Sequence, residues 1–133
     1  MNSYFSVNQA NEILPTVIKK FDYAKKMKVE VMKIEQQLTS DLTSTTSLEE
    51  YTTIKKKLNS QVTKFYQSIE DLESTGVLLK GRDEGLLDFP AKRLDEEIWL
   101  CWKEGETEIK FWHEKDTGVI GRKPISVSNE SLV

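Results

Sequence analysis

The sequence is short of cysteine, histidine, long apolar runs and surplus positive charge, and each shortage removes a class of protein. Cys101 is the only cysteine. It cannot close an intrachain disulfide, so nothing points to an oxidising compartment. With His113 as the only histidine, a four-ligand zinc site built from cysteines and histidines is excluded. No stretch approaches the roughly 20 apolar residues that span a bilayer. The opening Met1-Asn2-Ser3-Tyr4-Phe5 has neither the basic nor the apolar region of a secretory leader. These absences predict a cytoplasmic protein that does not enter a membrane. Lys and Arg number 19 against 22 Asp and Glu, a net charge of −3, which gives nucleic acid or an anionic membrane no reason to bind. Gly-rich phosphate loops ahead of a helix and serine-nucleophile motifs are also missing.

What is present fits a single domain over residues 1–133. Ser6 and Gln9 form a capping box that opens a helix. Pro15, which has no amide hydrogen, is expected to end a short helix and start a new one. From there Val17, Phe21, Ala24, Met27, Val31, Ile34 and Leu38 recur at three- and four-residue steps, one apolar stripe on a helix of about seven turns. Lys19, Lys20, Lys25, Lys26, Lys28 and Lys33 lie along it, but Asp22, Glu30 and Glu35 interleave with them, which reads as a solvated face. The polar, β-branched stretch from Thr39 to Ser47 reads as a hairpin loop. Ser47 and Glu50 make a second capping box, and Leu48, Tyr51, Ile54, Leu58, Val62, Phe65, Ile69 and Leu72 make a second stripe that Gly76 stops. Two such stripes joined by a short loop predict an antiparallel helical hairpin over about residues 7–75.

The pattern changes after Gly76. Residues 77–80 and 86–92 read as strands around a turn, with Pro90 marking an edge or a bulge. Asp95-Glu96-Glu97 reads as a polar turn. Ile98 to Trp102 is apolar on both faces, the mark of a central strand. Gly105-Glu106 signals a hairpin into a strand over 108–112, and 113–124 reads as an ordered loop before a frayed tail at 126–133. The expected fold is α+β, a long antiparallel helical hairpin packed on a small, mostly antiparallel β-sheet within residues 76–125.

Several segments of this half resemble a known family: Gly85-Leu86-Leu87-Asp88-Phe89-Pro90-Ala91, Leu100-Cys101-Trp102, Phe111-Trp112-His113-Glu114, and Gly118, Gly121-Arg122 and Pro124. With Phe5-Ser6, Ala10-Asn11 and Leu14-Pro15 at the start, they are similar to the domain of unknown function 2203 family of bacterial and archaeal proteins. The resemblance runs from about Tyr4 to Ile125. It implies one domain and carries no activity with it.

Chemistry concentrates near His113. Imidazole beside the carboxylate of Glu114 suits a divalent metal ion or acid–base work. Neighbours in a strand point to opposite faces, so both can ligate one ion only if the strand ends at Trp112. Asp88 interrupts an apolar run. Buried, it needs a partner or an ion; on an alternating strand it points to solvent. Glu12 on the first helix can reach the sheet end or stay solvated. Arg122, on a glycine-containing loop, suits either an anionic ligand or a clamp onto Asp88, Asp83 or Glu114. The metal-ligand candidates are therefore His113, Glu114, Glu12 and Asp88, and the catalytic candidates His113, Glu114, Asp88 and Arg122. Cys101 and the three tryptophans, Trp99, Trp102 and Trp112, read as core. A small sheet cannot cover two apolar stripes roughly 40 Å long. The leading expectation is therefore a binding module that dimerises through its helical hairpin and holds a small molecule or divalent metal ion at the sheet end. The alternative is a small metal-dependent or acid–base enzyme using His113 and Glu114.

Overall fold

The two capping boxes form as their spacing predicts. Ser6 Oγ accepts the Gln9 amide at 3.1 Å and Gln9 Oε1 accepts the Ser6 amide at 3.0 Å, which opens α1 (Val7–Ser40). Ser47 Oγ accepts the Glu50 amide at 3.1 Å ahead of α2 (Leu48–Glu73). Gly76, at φ 96°, follows the end of α2 in the left-handed conformation that glycine tolerates best. The computed structural model describes residues 4–40, 47–81 and 84–125. The expected loop tip over 41–46, the turn residues Arg82 and Asp83, and the tail 126–133 lie outside them.

Pro15 does not break the helix: α1 runs through it. The residue is exposed, so the carbonyl it leaves without a donor faces the side where water can reach it. Ala10, Leu14 and Val17 flank it and are almost fully buried. Their burial, at about 1.5–3 kcal/mol for a large side chain, is of the size needed to offset an interior proline at about 3 kcal/mol.

The fold is α+β, with two long antiparallel helices and an antiparallel sheet. The chain forms two compact units, Lys19–Asp71 and Met1–Ile18 with Leu72–Val133. In the helical unit Lys20 Nζ bonds Asp71 Oδ2 at 2.7 Å. Phe21, Ala24, Met27, Ile34 and Leu58 are buried there. The threonines of α2 adapt to a helix by turning their hydroxyls back onto it: Thr52, Thr53 and Thr63 each donate to the carbonyl four residues earlier.

The second unit holds a five-stranded sheet with its strands in chain order: β1 (Leu78–Gly81), β2 (Leu86–Arg93), β3 (Glu96–Lys103), β4 (Phe111–Glu114) and β5 (Lys123–Pro124). All neighbours are antiparallel. The apolar strand expected at the centre is β3, and it is central. Pro90 lies in β2 beyond the end of β1, where the Phe5 amide donates to its carbonyl at 2.7 Å. Its missing donor therefore faces a local edge, as proline requires.

Two readings shift. The strand expected over 108–112 instead starts at Phe111 and continues through His113 to Glu114, because the Ile109 amide is taken by Asn11 Oδ1 at 2.7 Å. The loop that follows contains a short 3₁₀ turn, Val119–Gly121, and the two-residue strand β5. The turn between β2 and β3 is Leu94-Asp95, with φ of 51° and 66°, rather than residues 95–97. Two positive φ values are what a type I′ hairpin turn needs, and Asn-Gly suits it far better than Leu-Asp. Replacing Leu94→Asn together with Asp95→Gly relieves that strain and should add about 1 kcal/mol of stability. A thermal melt is expected to show the midpoint rising by a few degrees; an unchanged or lowered midpoint would mean that Leu94 makes a compensating contact.

Candidate functional site

Alternation along β2 and β3 sorts the side chains onto two faces. Leu87, Phe89 and Ala91 share one face with Ile98, Leu100 and Trp102, and all are buried; Phe5 packs edge-on against Phe89 with ring centroids 5.4 Å apart. The other face carries Asp88 of β2, Trp99 and Cys101 of β3 and His113 of β4. Asp88 lies directly opposite Cys101, and His113 opposite Trp99, so three neighbouring strands bring carboxylate, thiol and imidazole together.

That second face is not open. Asp88, Cys101 and His113 are only 3%, 1% and 3% exposed. His113 Nε2 sits 3.0 and 3.1 Å from the two oxygens of Asp88. Its Nδ1 lies 2.8 Å from the carbonyl of Glu114. A carbonyl has no proton to give, so Nδ1 carries the hydrogen and donates it. One further proton is then shared between Nε2 and the carboxylate. Burial pushes the Asp88 carboxyl above its ordinary range, against the opposing pull of His113, a hydrogen bond from Cys101 and the charge of Lys80. The Cys101 thiol is pushed up to about 12 by burial and by the neighbouring Asp88 charge. Nucleophilic thiols need the opposite environment, and here the carboxylate, not the imidazole, is the thiol's partner. The cluster is therefore not arranged as a cysteine-nucleophile triad.

A cavity of about 120 Å³ opens over the cluster, bordered by Lys80, Leu86, Trp99, Lys115 and Gly118. A larger one, about 430 Å³, shares Trp99 and Lys115 with it and reaches Tyr4, Glu73, Leu78 and Glu97. Lys80 Nζ stands 4.8 Å from the centre of the Trp99 ring. Lys115 Nζ pairs with Glu97 Oε2 at 2.6 Å, and the Tyr4 hydroxyl also donates to Glu97.

Of the residues singled out from sequence, His113 and Asp88 meet. Glu114 does not join them. Because β4 runs on to Glu114, its side chain leaves from the opposite face and pairs with Lys123 at 2.6 Å; the bond from Lys123 holds its carboxyl below the usual range. Glu12 is exposed beside Tyr4, Phe5 and Gln9 and takes no part in the cluster. Arg122 is a clamp, with a partner other than the three expected. Its Nη2 donates to both Glu106 oxygens, at 2.7 and 2.9 Å, and its guanidinium lies 4.0 Å from the Phe111 ring centre. The expectation for Asp83 falls outside the described residues. Cys101 is as buried as its apolar setting suggests, but it keeps polar company. A two-residue turn at Leu94-Asp95 would have revealed this, since that register alone sets Asp88 opposite Cys101.

The chain belongs to the uncharacterized conserved protein family DUF2203, whose model matches residues 3–125. No curated protein and no solved structure matches it.

Because Asp88 binds its proton more tightly folded than unfolded, its contribution to stability is full below the unfolded carboxylate range. It is lost as pH rises from about 4 through the raised folded value. Asp88→Asn removes that dependence, while its amide can still donate to Nε2 and accept from the thiol. Denaturant titrations in chelator-treated buffer should show the variant with a flatter profile above about pH 4 and at least wild-type stability at neutral pH. A variant weaker than wild type only at neutral pH would instead show that the ionised carboxylate favours folding.

Proposed function

We propose that this protein is a binding module with separate tasks in its two units: the helical pair joins two copies, and the sheet holds a small polar ligand or ion above Asp88 and His113. The observation that carries the reading is the cavity with buried Asp88, Cys101 and His113 at its floor. Polar groups so thoroughly removed from water lower stability unless they are well partnered, and an accessible cavity over them is what a ligand site needs. The free thiol suits a reducing compartment, which supports a cytoplasmic location. Among the described residues, no helix is long and apolar enough to cross a membrane.

Self-association is supported by the helical unit. Two helices cover one flank of each other's apolar stripes, and a stable helical bundle has more members. Tyr51, Ile54, Val62, Phe65 and Ile69 of α2 are only half-buried, and Val29 and Met32 of α1 stand 49% and 50% exposed. A second copy supplies the missing flank. An enzyme using His113 with Glu114 is less well supported, because those side chains lie on opposite faces; acid–base work would fall to His113 with Asp88.

Size-exclusion chromatography with light scattering should give a dimer for the wild-type chain. Val29→Glu with Met32→Glu should yield a folded monomer, the dimer weakened at least tenfold. A wild-type chain that stays monomeric at high concentration removes self-association from the proposal.

A further inference from the structure

We propose that Asp88, Cys101 and His113 together bind one divalent transition-metal ion of the zinc class, with a fourth coordination position open to the cavity. The inference rests on the reading of this cavity as a ligand site and names its occupant.

The donor set makes the first case. One carboxylate oxygen, the thiol sulfur and one imidazole nitrogen all lie within 4.8 Å of one another. Ligands held tetrahedrally at about 2.0–2.3 Å from an ion stand roughly 3.3–3.8 Å apart, so small side-chain rotations convert the present hydrogen bonds into a coordination shell. Thiolate with imidazole favours zinc-like ions, and magnesium and calcium prefer all-oxygen sites.

Orientation makes the second. A metal-binding histidine usually donates its other ring N–H to a carbonyl or carboxylate, which fixes the ring and the tautomer. His113 has that arrangement. Nδ1 donates to the carbonyl of Glu114 at 2.8 Å, leaving Nε2 directed at Asp88. The three side chains come from three hydrogen-bonded strands, so the backbone already fixes their spacing.

Charge makes the third. A carboxylate, a thiolate and a neutral imidazole carry two negative charges, and a divalent ion cancels them within a buried site. Binding releases the thiol proton and the proton shared by Asp88 and Nε2: two protons leave as one divalent cation enters. With three protein ligands, the fourth position goes to water or to an anion from the cavity. Lys80 and Lys115 at its border favour the anion.

The test uses the full chain, stripped with chelator and dialysed against Zn²⁺ or Co²⁺. Elemental analysis should give one ion per chain, with a higher unfolding midpoint. The Co²⁺ form should show visible bands of a tetrahedral site and a near-ultraviolet thiolate-to-metal band. Cys101→Ser, a near-isosteric change that keeps the sheet intact, should abolish that band and weaken binding at least tenfold. Mg²⁺ should not compete. Binding far short of one ion per chain, or equal binding by wild type and Cys101→Ser, overturns the inference. If acetate or phosphate stabilises the chain through Lys80 and Lys115 while Zn²⁺ does not, the metal is wrong and the ligand cavity stands. If none of these probes shifts the midpoint, both fail.

Discussion

Asp88 lies in an interior strand between Leu87 and Phe89, almost without contact with water, and the outer face of the sheet is organised around satisfying it. An isolated carboxylate there would be strongly unfavourable. His113 answers with a two-oxygen contact, Cys101 with its thiol proton and Lys80 with its charge. Each comes from a different strand, so the pairing of β1, β2, β3 and β4 is tied to one buried carboxyl group. Removing His113 or Cys101 leaves Asp88 buried with unfilled hydrogen-bonding capacity, which is why the cluster constrains the fold beyond the strength of its single bonds.

The opposite face obeys simpler rules. Leu87, Phe89, Ala91, Leu100 and Trp102 are there because apolar side chains leave water, and their alternation with the polar set follows from the strand period of two. The same strands therefore serve two environments. One face supplies non-directional burial, which tolerates similar residues. The other depends on distances of about 3 Å between specific atoms. Arg122 adds a second polar constraint on the backbone of Cys101 itself. It joins Glu106 to the carbonyl of Cys101 and the ring of Phe111, and so holds the segment leading into β5 against the strands that carry the cluster.

The proposed metal site and the proposed dimer place different demands on the chain. Coordination needs a rigid frame, which four hydrogen-bonded strands provide. Association needs an extended apolar surface, which the long helices provide through Val29, Met32 and the half-buried stripe of α2. The chain assigns these demands to separate compact units, so changes on the helical pair need not disturb the cluster.

Local chemistry was sufficient to read the helices from sequence. Ser6, Ser47 and Gly76 act through hydrogen bonds and dihedrals spanning a few residues, so their effects are written where they stand. The apolar strand from Ile98 to Trp102 was equally legible as the centre of the sheet. The site was legible only in part. His113 and Asp88 stood out as unusual residues, but their meeting depends on strand register. Register depended on a turn whose residues, Leu94 and Asp95, violate the usual preference for Asn and Gly. A turn centred on Glu96 would have faced Asp88 with Glu104; the turn that forms faces it with Cys101. The continuation of α1 through Pro15, the divergence of Glu114 from His113 and the choice of Glu106 for Arg122 were likewise settled only in the folded chain, by the burial of Ala10, Leu14 and Val17, by the extension of β4 to Glu114 and by the carboxylate that folding brings to Arg122.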